Sequence, residues 1–244
     1  MAKSKKRFFL VLDTETTQPT KTEKSVVYDI GAVVCDRQGR IYNNLSAIVY
    51  ENFEKDLFYT SDTSKSNHWS YANMKIKTAE YHKMLTDGRA TLSSIAAINK
   101  WLDRVMGAYP QIELTGYNVA FDLRVCKDTG IQLDQFANRF DLWALAIGNI
   151  CKTSAYRRFA LQNHFFTART EHGNSSLMTS AECVYRFIIS DPDFKEDHTA
   201  HSDAIIEAGI LKFILMKTSY EKAMKKLTPY VWRDHQLRNH YKVA

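Results

Sequence analysis

The sequence is short of the residues that mark linkers, disulfide frameworks and membrane spans. Nine glycines and four prolines among 244 residues indicate no long flexible linker and no low-complexity tract. The four cysteines lie far apart without a CxxC spacing, which argues against a zinc site and favours reduced thiols. No segment approaches the ~18 apolar residues of a membrane span, and FFLVL is too short for a signal peptide. We therefore expect a soluble, cytoplasmic protein without a membrane partner.

The composition is that of an ordinary globular domain with a basic excess. Apolar residues make up 45% of the chain and charged residues 25%, which is enough to bury a core. We expect one domain over 1–228, with an irregular excursion at 51–90, and a basic tail at 229–244. The formal net charge is +6, and a positive excess modestly favours polyanionic partners.

The order of apolar segments predicts an α/β fold. Three β-prone runs come first, with a turn containing Gly39 between the second and third, and this order predicts three antiparallel strands. A short strand and several helices then alternate, which favours a mixed sheet flanked by helices over an all-parallel sheet. The predicted strands are 7–13, 25–36, 41–51 and 112–118, and the predicted helices are 91–106, 120–130, 138–152, 179–189 and 202–227.

The first strand ends in two acids one residue apart, Asp13 and Glu15. Residues at i and i+2 of a strand share a face, so the two carboxylates point the same way. Two negative charges at such a short distance repel each other unless a proton or a cation lies between them. Carboxylate oxygens are ligands that Mg²⁺ prefers. On this motif alone, a solvated strand end is the commoner explanation.

Two further motifs follow at mid-chain and near the end. Asp122 in YNVAFDL lies in the first turn of a predicted helix, where the helix dipole alone could stabilise it. His198 and Asp203 in HTAHSD are five residues apart, so on one continuous helix they would point in different directions. They converge only if His198 lies in the loop before the helix and Asp203 within it. Taken singly, each motif has an adequate structural explanation.

Taken together and in this order, DTETT, NVAFD and HTAHSD resemble the DEDD superfamily of 3′–5′ exonucleases. Histidine five residues before the last aspartate resembles the histidine (DEDDh, DnaQ-like) branch. The resemblance covers about residues 7–216 and implies an RNase H-like mixed sheet. YDIGAVV and FDLWALA also resemble family segments, and AECVYRFIISD resembles phage-type relatives. Gln18 stands where the family commonly has glycine.

The resemblance also implies roles for individual residues. Two Mg²⁺ or Mn²⁺ ions would be held by four carboxylates, and His198 would act as general base. The product would be a nucleoside 5′-monophosphate released from the 3′ end of a single strand. The substrate could be DNA or RNA. The implied metal ligands are Asp13, Glu15, Asp122 and Asp203, and the implied nucleotide contacts are Thr16, Thr17, Asn118 and Phe121.

Several alternatives stay open at this point. The chain could bind nucleic acid or a protein on the same fold without cleaving anything. It could be another RNase H-like nuclease, such as an endonuclease or resolvase, or it could be a phosphatase or small-molecule hydrolase with a carboxylate metal site. Phe121 could equally be a core residue of its helix. The segment NHWSYANMKIK (67–77) could contact nucleic acid or could be an ordinary surface loop. The basic tail could contact nucleic acid, or dock a polymerase or other protein partner. A homodimer is compatible with the sequence.

Overall fold

A six-stranded mixed sheet forms the centre of the molecule. The computed structural model describes residues 6–17, 24–53, 71–166, 175–228 and 236–237, with the side chains of 71–78, 175 and 236–237 left aside. The strands run in the order β4-β3-β2-β1-β5-β6. They are β1 (Phe8–Thr16), β2 (Val27–Asp36), β3 (Ile41–Val49), β4 (Thr91–Ser93), β5 (Glu113–Gly116) and β6 (Arg139–Asp141). A small antiparallel pair joins β7 (Ser175–Ser176) to β8 (Gln236–Leu237).

The pairing confirms the predicted fold class. β1, β2 and β3 form an antiparallel meander, and Gly39 takes positive φ in the turn between β2 and β3. β4 pairs parallel to β3, while β5 and β6 add parallel strands on the far side of β1. Three antiparallel strands extended by parallel ones, with helices on both faces, give the α/β RNase H-like architecture expected from the sequence.

Helices cover both faces of the sheet. Because successive strand residues point to opposite faces, β1 sends Phe9 and Val11 into one hydrophobic cluster and Leu10 and Leu12 into another. The helices are α1 (Tyr50–Phe53), α2 (Tyr71–Thr86), α3 (Ile95–Ala108), α4 (Val119–Thr129), α5 (Leu142–Ala146), α6 (Ser154–Gln162), α7 (Ala181–Ile189), α8 (Ala200–Lys217) and α9 (Tyr220–Met224). The first cluster packs under α5–α8, and the second under α3 and α4. None of the described helices is both long and apolar enough to cross a membrane.

Several element boundaries differ from the predictions. The predicted helix 91–106 begins only at Ile95, because Thr91–Ser93 is a strand and Ser94 supplies the helix cap. The predicted helix 138–152 likewise loses Arg139–Asp141 to β6 and continues beyond α5 as a π-helical turn, Ile147–Cys151. Strands of three residues are too short to show a period of two, so the sequence pattern did not reveal them.

Two longer segments also differ. The predicted helix 202–227 is two helices, because Thr218 is extended and Ser219 caps α9 by accepting the Lys222 N–H. The excursion at 51–90 contains a 16-residue helix, α2, where only a short helix or two was expected. Its residues show no clean apolar period, and much of the excursion before it lies outside the described residues.

Gly31 of β2 is the position where the sheet and α8 come closest. A Cβ placed on Gly31 would lie 2.1 Å from the carbonyl carbon of Ala200 and 2.1 Å from the backbone nitrogen of His201. Real side chains never approach backbone this closely, so only glycine allows α8 to begin where it does. Asp13 pairs with Gly31 across the β1–β2 ladder, which places the first turn of α8 over the acidic end of β1.

We predict that Gly31→Ala lowers the free energy of unfolding by about 1–3 kcal/mol or more, because the added methyl group collides with backbone that cannot rotate away. Denaturant unfolding followed by circular dichroism measures the loss. Gly107→Ala is the matched control: its Cβ would meet nothing within 4 Å, and alanine suits a helix, so stability should be unchanged or slightly higher. Equal midpoints for Gly31→Ala and the wild type would contradict the close contact.

Candidate active site

Asp13 and Glu15 continue the face of β1 that is turned toward α8. Phe9 and Val11 lie on that face within the first hydrophobic cluster, and the period of two places Asp13 and Glu15 on it as well. Both acids are half-buried. The predicted common direction of the two carboxylates is therefore met, and the apolar stripe of the strand passes directly into a pair of acids beneath a helix.

The first turn of α8 carries Asp203 and is held by a buried carboxylate of β2. Asp29 has no solvent exposure, and its Oδ2 accepts the Ala200 N–H at 3.0 Å and the Tyr81 hydroxyl at 3.0 Å. An anionic acceptor at the first amide of a helix is stabilised by the unsatisfied N–H groups there. Asp29 thus has a structural role in fixing where α8 begins, while Asp203 lies in the first helical turn.

His198 lies in the loop before α8, as its convergence with Asp203 requires. Its backbone is left-handed (φ 54°), which is uncommon outside glycine and asparagine, and its side chain is 57% exposed. Potential ligand atoms of His198, Asp203 and Glu196 all lie within 4.8 Å of one another. The imidazole is therefore next to a carboxylate of α8 and still open to solvent.

Asp122 lies in the first turn of α4, at the end of β5. It is 3% exposed, and its Oδ1 accepts a hydrogen bond from the hydroxyl of Thr14 at 2.7 Å. Burial raises the pKa of Asp122 to about 7, although the hydrogen bond from Thr14 works in the opposite direction. Thr14 lies between Asp13 and Glu15, so this bond ties α4 to the acidic end of β1.

The carboxylates of the separate motifs act on Asp13 electrostatically. Burial raises the pKa of Asp13 well above its usual value, and the negative charges of neighbouring carboxylates raise it further. These neighbours are, in decreasing order of effect, Asp122, Asp203, Glu15 and Asp29. All four carboxylates predicted from the three motifs therefore interact around Asp13, although they lie on β1, α4 and α8.

Two acids outside the three motifs, Glu207 and Glu196, lie near the predicted carboxylates. Glu207, one helical turn after Asp203, is 2% exposed and accepts the Tyr117 N–H at 3.1 Å. Burial, followed by the charges of Asp13 and Asp122, raises the pKa of Glu207 well above its usual value. Glu196 is half-buried beside His198, and burial followed by the charge of Glu182 raises its pKa to about 7. The sequence feature that could have pointed to Glu207 is an acidic residue within the otherwise apolar run IIEAGIL.

The four predicted nucleotide contacts lie near the acids, with different freedom to act. Thr16 and Thr17 are half-buried, and the Thr17 N–H donates to the Val26 carbonyl, so that donor is already used. Asn118 is exposed in a left-handed conformation just before α4 and makes no capping hydrogen bond with its side chain. Phe121 is partly buried and packs against the second hydrophobic cluster, which favours the core interpretation of this ring.

Two segments that the sequence suggested as contact surfaces fall mostly outside the described residues. The aromatic and basic segment 67–77 does so except for the backbone of α2, and the tail 229–244 does so except for β8. His201, in the first turn of α8, is half-buried, and burial lowers its pKa.

The chain resembles known proteins in structure rather than in sequence. No family model matches the chain, and no curated protein matches its sequence. Among solved structures, the chain is similar to the nuclease domain of 3′hExo, a DEDDh family member bound to rAMP, with TM-score 0.49 and 10% identity over 88% of this chain and 95% of that one.

Two other solved structures are comparably similar. E. coli exonuclease I in complex with an oligonucleotide gives TM-score 0.47 and 13% identity over 91% of this chain, which spans only 42% of that enzyme's length. A full-length 3′-exonuclease gives TM-score 0.46 and 13% identity over 88% of this chain and 84% of that one. All three TM-scores are below 0.5, and the fold described above follows from the strand order and pairing themselves.

The raised pKa of Asp122 predicts how stability depends on pH. Between about pH 4 and about pH 7 the folded protein keeps a proton on Asp122 that the unfolded chain has lost, so unfolding becomes easier as the pH rises through this window. We predict that Asp122→Asn removes part of this loss: in EDTA, its stability relative to the wild type should increase from pH 4 to pH 7 and then level off.

Urea unfolding at several pH values measures the difference between the two proteins. Asp134→Asn is the control, because the Asp134 side chain is 90% exposed and its removal should give a difference that hardly depends on pH. His201 has the opposite sign, since its lowered pKa favours the folded state at higher pH, but it is common to all three proteins and cancels. A pH-independent difference for Asp122→Asn would contradict the buried, protonated state.

Proposed function

We propose that the chain is a metal-dependent 3′–5′ exonuclease that releases nucleoside 5′-monophosphates from single-stranded DNA or RNA. The observation that carries the proposal is the convergence of the three motifs at the end of β1. Thr14, between Asp13 and Glu15, donates to Asp122, and α8, which carries Asp203, begins against Gly31, the ladder partner of Asp13. His198 lies next to Asp203 and is open to solvent. Separate motifs of a stable protein do not need to bring like charges together, whereas a site for divalent cations does.

The donor set fits Mg²⁺ or Mn²⁺. Its members are carboxylates, which are the hard oxygen ligands these ions prefer, and two cations would offset the repulsion that raises the pKa of Asp13. Asp13, Glu15, Asp122 and Asp203 would hold the ions. When bound, they would supply charge neutralisation at the scissile phosphate and a lower pKa for the attacking water.

His198 is suited to take the proton of that water. Its side chain reaches solvent, and imidazole is the side chain that most often moves a proton in catalysis. In the reaction, the water oxygen forms a bond to phosphorus and its proton passes to His198. The bond from phosphorus to the 3′ oxygen of the preceding nucleotide breaks, and that oxygen leaves and takes up a proton. The products are a nucleoside 5′-monophosphate and a strand shorter by one nucleotide.

The remaining residues around the acids would support the terminal nucleotide. The exposed amide of Asn118 and the hydroxyl of Thr16 are polar groups close in sequence to Asp122 and Glu15, and both would meet its sugar or base. Thr17 would contribute only the hydrogen of its hydroxyl, since its N–H donates to the Val26 carbonyl and its hydroxyl oxygen accepts the Val26 N–H. Phe121, partly exposed, would contribute one edge of its ring. The partner in this proposal is a single strand with a free 3′ end.

We predict that Asp13→Ala and Asp203→Ala each reduce cleavage by more than about 100-fold. His198→Ala should slow it by about 10²–10⁴-fold, the share that a general base supplies. The measurement is a time course on 5′-labelled single-stranded DNA and RNA of one sequence, with Mg²⁺, Mn²⁺ or EDTA. A metal-dependent ladder that shortens from the 3′ end is expected, and the faster substrate identifies the preferred sugar.

Asp134→Ala, which removes an exposed acid, is the control and should cleave like the wild type. A circular single strand has no 3′ end and should stay intact, whereas its cleavage would favour an endonuclease. Full activity of Asp13→Ala would refute the assignment of the site. Binding of the oligonucleotide without any cleavage would instead favour a nucleic-acid-binding protein on this fold.

A further inference from the structure

A carboxylate that belongs to none of the three motifs lies beside the ring of His198. Glu196 Oε2 is 3.9 Å from His198 Nδ1, and the Glu196 side chain is only 11% exposed. Its other oxygen, Oε1, is buried and accepts no hydrogen bond from the described residues. Half-buried carboxylates are costly unless they serve a partner, so the position of Glu196 needs an explanation.

The backbone of Glu196 is fixed by α7. Its N–H donates to Glu182 Oε1 at 3.2 Å, and Glu182 is in turn paired with Arg186 at 2.9 Å, one turn along the same helix. The Arg186 Nε donates to the Phe194 carbonyl at 2.6 Å, which holds the loop a second time. Glu196 therefore projects from a segment anchored at two points, and its carboxylate has little freedom to move away from His198.

The neighbouring acid in the loop has a different task. Asp197 Oδ1 accepts both the N–H and the hydroxyl of Thr199, at 3.2 and 3.1 Å, and so closes the turn that leads into α8. The left-handed backbone of His198 lies inside this turn. Such a conformation costs of order 1 kcal/mol and persists where the surroundings impose it, often at active sites. Here it leaves the imidazole next to Glu196 and Asp203 together.

We propose that Glu196 is a positioning residue for His198. Its carboxylate accepts the Nδ1–H of the ring, which selects the tautomer with a bare Nε2 and directs that nitrogen toward the attacking water. The distance of 3.9 Å is longer than a hydrogen bond, but a carboxylate this near the ring already favours the tautomer whose N–H faces it. When substrate binds, the contact shortens to a hydrogen bond, as catalytic hydrogen bonds commonly do. This inference rests on the proposed function, in which His198 is the base.

The kinetic test uses Glu196→Ala, with Asp193→Ala as its matched control. Asp193 is an exposed acid of the same loop, so its variant loses the same charge without touching His198. Glu196→Ala should lower the single-turnover rate by about 10- to 100-fold, part of what a general base contributes. Oligonucleotide affinity in EDTA and the Mn²⁺ concentration for half-maximal rate should not change. Asp193→Ala should match the wild type in all three measurements.

A double-mutant cycle shows whether Glu196 acts through His198. In the His198→Ala background, Glu196→Ala should cause no further loss, because the residue it positions is absent. An equal loss in both backgrounds would overturn the proposal. A higher Mn²⁺ requirement for Glu196→Ala would also overturn it, since it would make Glu196 a metal ligand, in keeping with its place beside Asp203.

The second arm does not depend on cleavage, so it separates this inference from the proposed function. Nitrogen-15 NMR of histidine-labelled protein at about pH 8.5, where an unperturbed imidazole is neutral, reports which ring nitrogen carries the proton. The His198 signal, identified by its absence in His198→Ala, should show Nδ1–H in the wild type and lose that preference in Glu196→Ala. Identical tautomers in the two proteins would overturn the proposal even if the chain were an active exonuclease.

Discussion

The contact between β2 and the first turn of α8 is the constraint on which the candidate site depends. Gly31 lets helix backbone approach to a distance that any side chain would prevent, and the buried Asp29 holds the first amide of the helix. Asp29 and Gly31 pair with Glu15 and Asp13, respectively, across the ladder. Because the same two residues of β2 touch both partners, the distance between the acids of β1 and the start of α8 is set by the backbone contact at Gly31 and by the fully buried side chain of Asp29.

The contact between β2 and α8 brings carboxylates close together, and their burial and mutual repulsion lower the stability of the folded state. Asp13, Asp122 and Glu207 are all shifted toward the protonated state, mainly by burial. The packing on either face of the sheet supplies the stability that such a concentration of carboxylates removes. Two of the left-handed non-glycine residues, Asn118 and His198, lie beside Asp122 and Asp203, which is the pattern expected where structure is maintained for a purpose other than stability.

Much of this arrangement could be predicted from sequence, because it depends on local spacing. The period of two in β1 placed Asp13 and Glu15 on one face. The five-residue distance between His198 and Asp203 meant that the two could converge only with His198 in the loop before the helix, which is where it lies. The end of α4 at Gly130, which has positive φ, could be predicted in the same way. These features depend on neighbours within a few residues, where strand and helix geometry is fixed.

The rest depends on contacts between segments that are distant in sequence. Asp29 lies in the second predicted strand, and its contact with α8 exists only because that helix, about 170 residues later, begins against it. Glu207 accepts a hydrogen bond from the N–H of Tyr117, which lies 90 residues earlier in the chain, and no periodicity of the sequence predicts that contact. The strands Thr91–Ser93 and Arg139–Asp141 are defined by their partners in the sheet and have too few residues to show a pattern of their own.

The acidic loop before α8 shows how tertiary contacts divide residues of one type. Asp191, Asp193, Glu196 and Asp197 look alike in sequence, and together they suggest a solvated insertion. In the structure Asp193 is exposed, Asp197 closes a turn, and Glu196 faces inward because Glu182 of α7 captures its backbone. The helix α7, which carries none of the three motifs, therefore determines that the carboxylate of Glu196 lies next to His198. In turn, α7 packs on α8 through the first hydrophobic cluster. The core that stabilises the fold thus also determines which carboxylate reaches the imidazole.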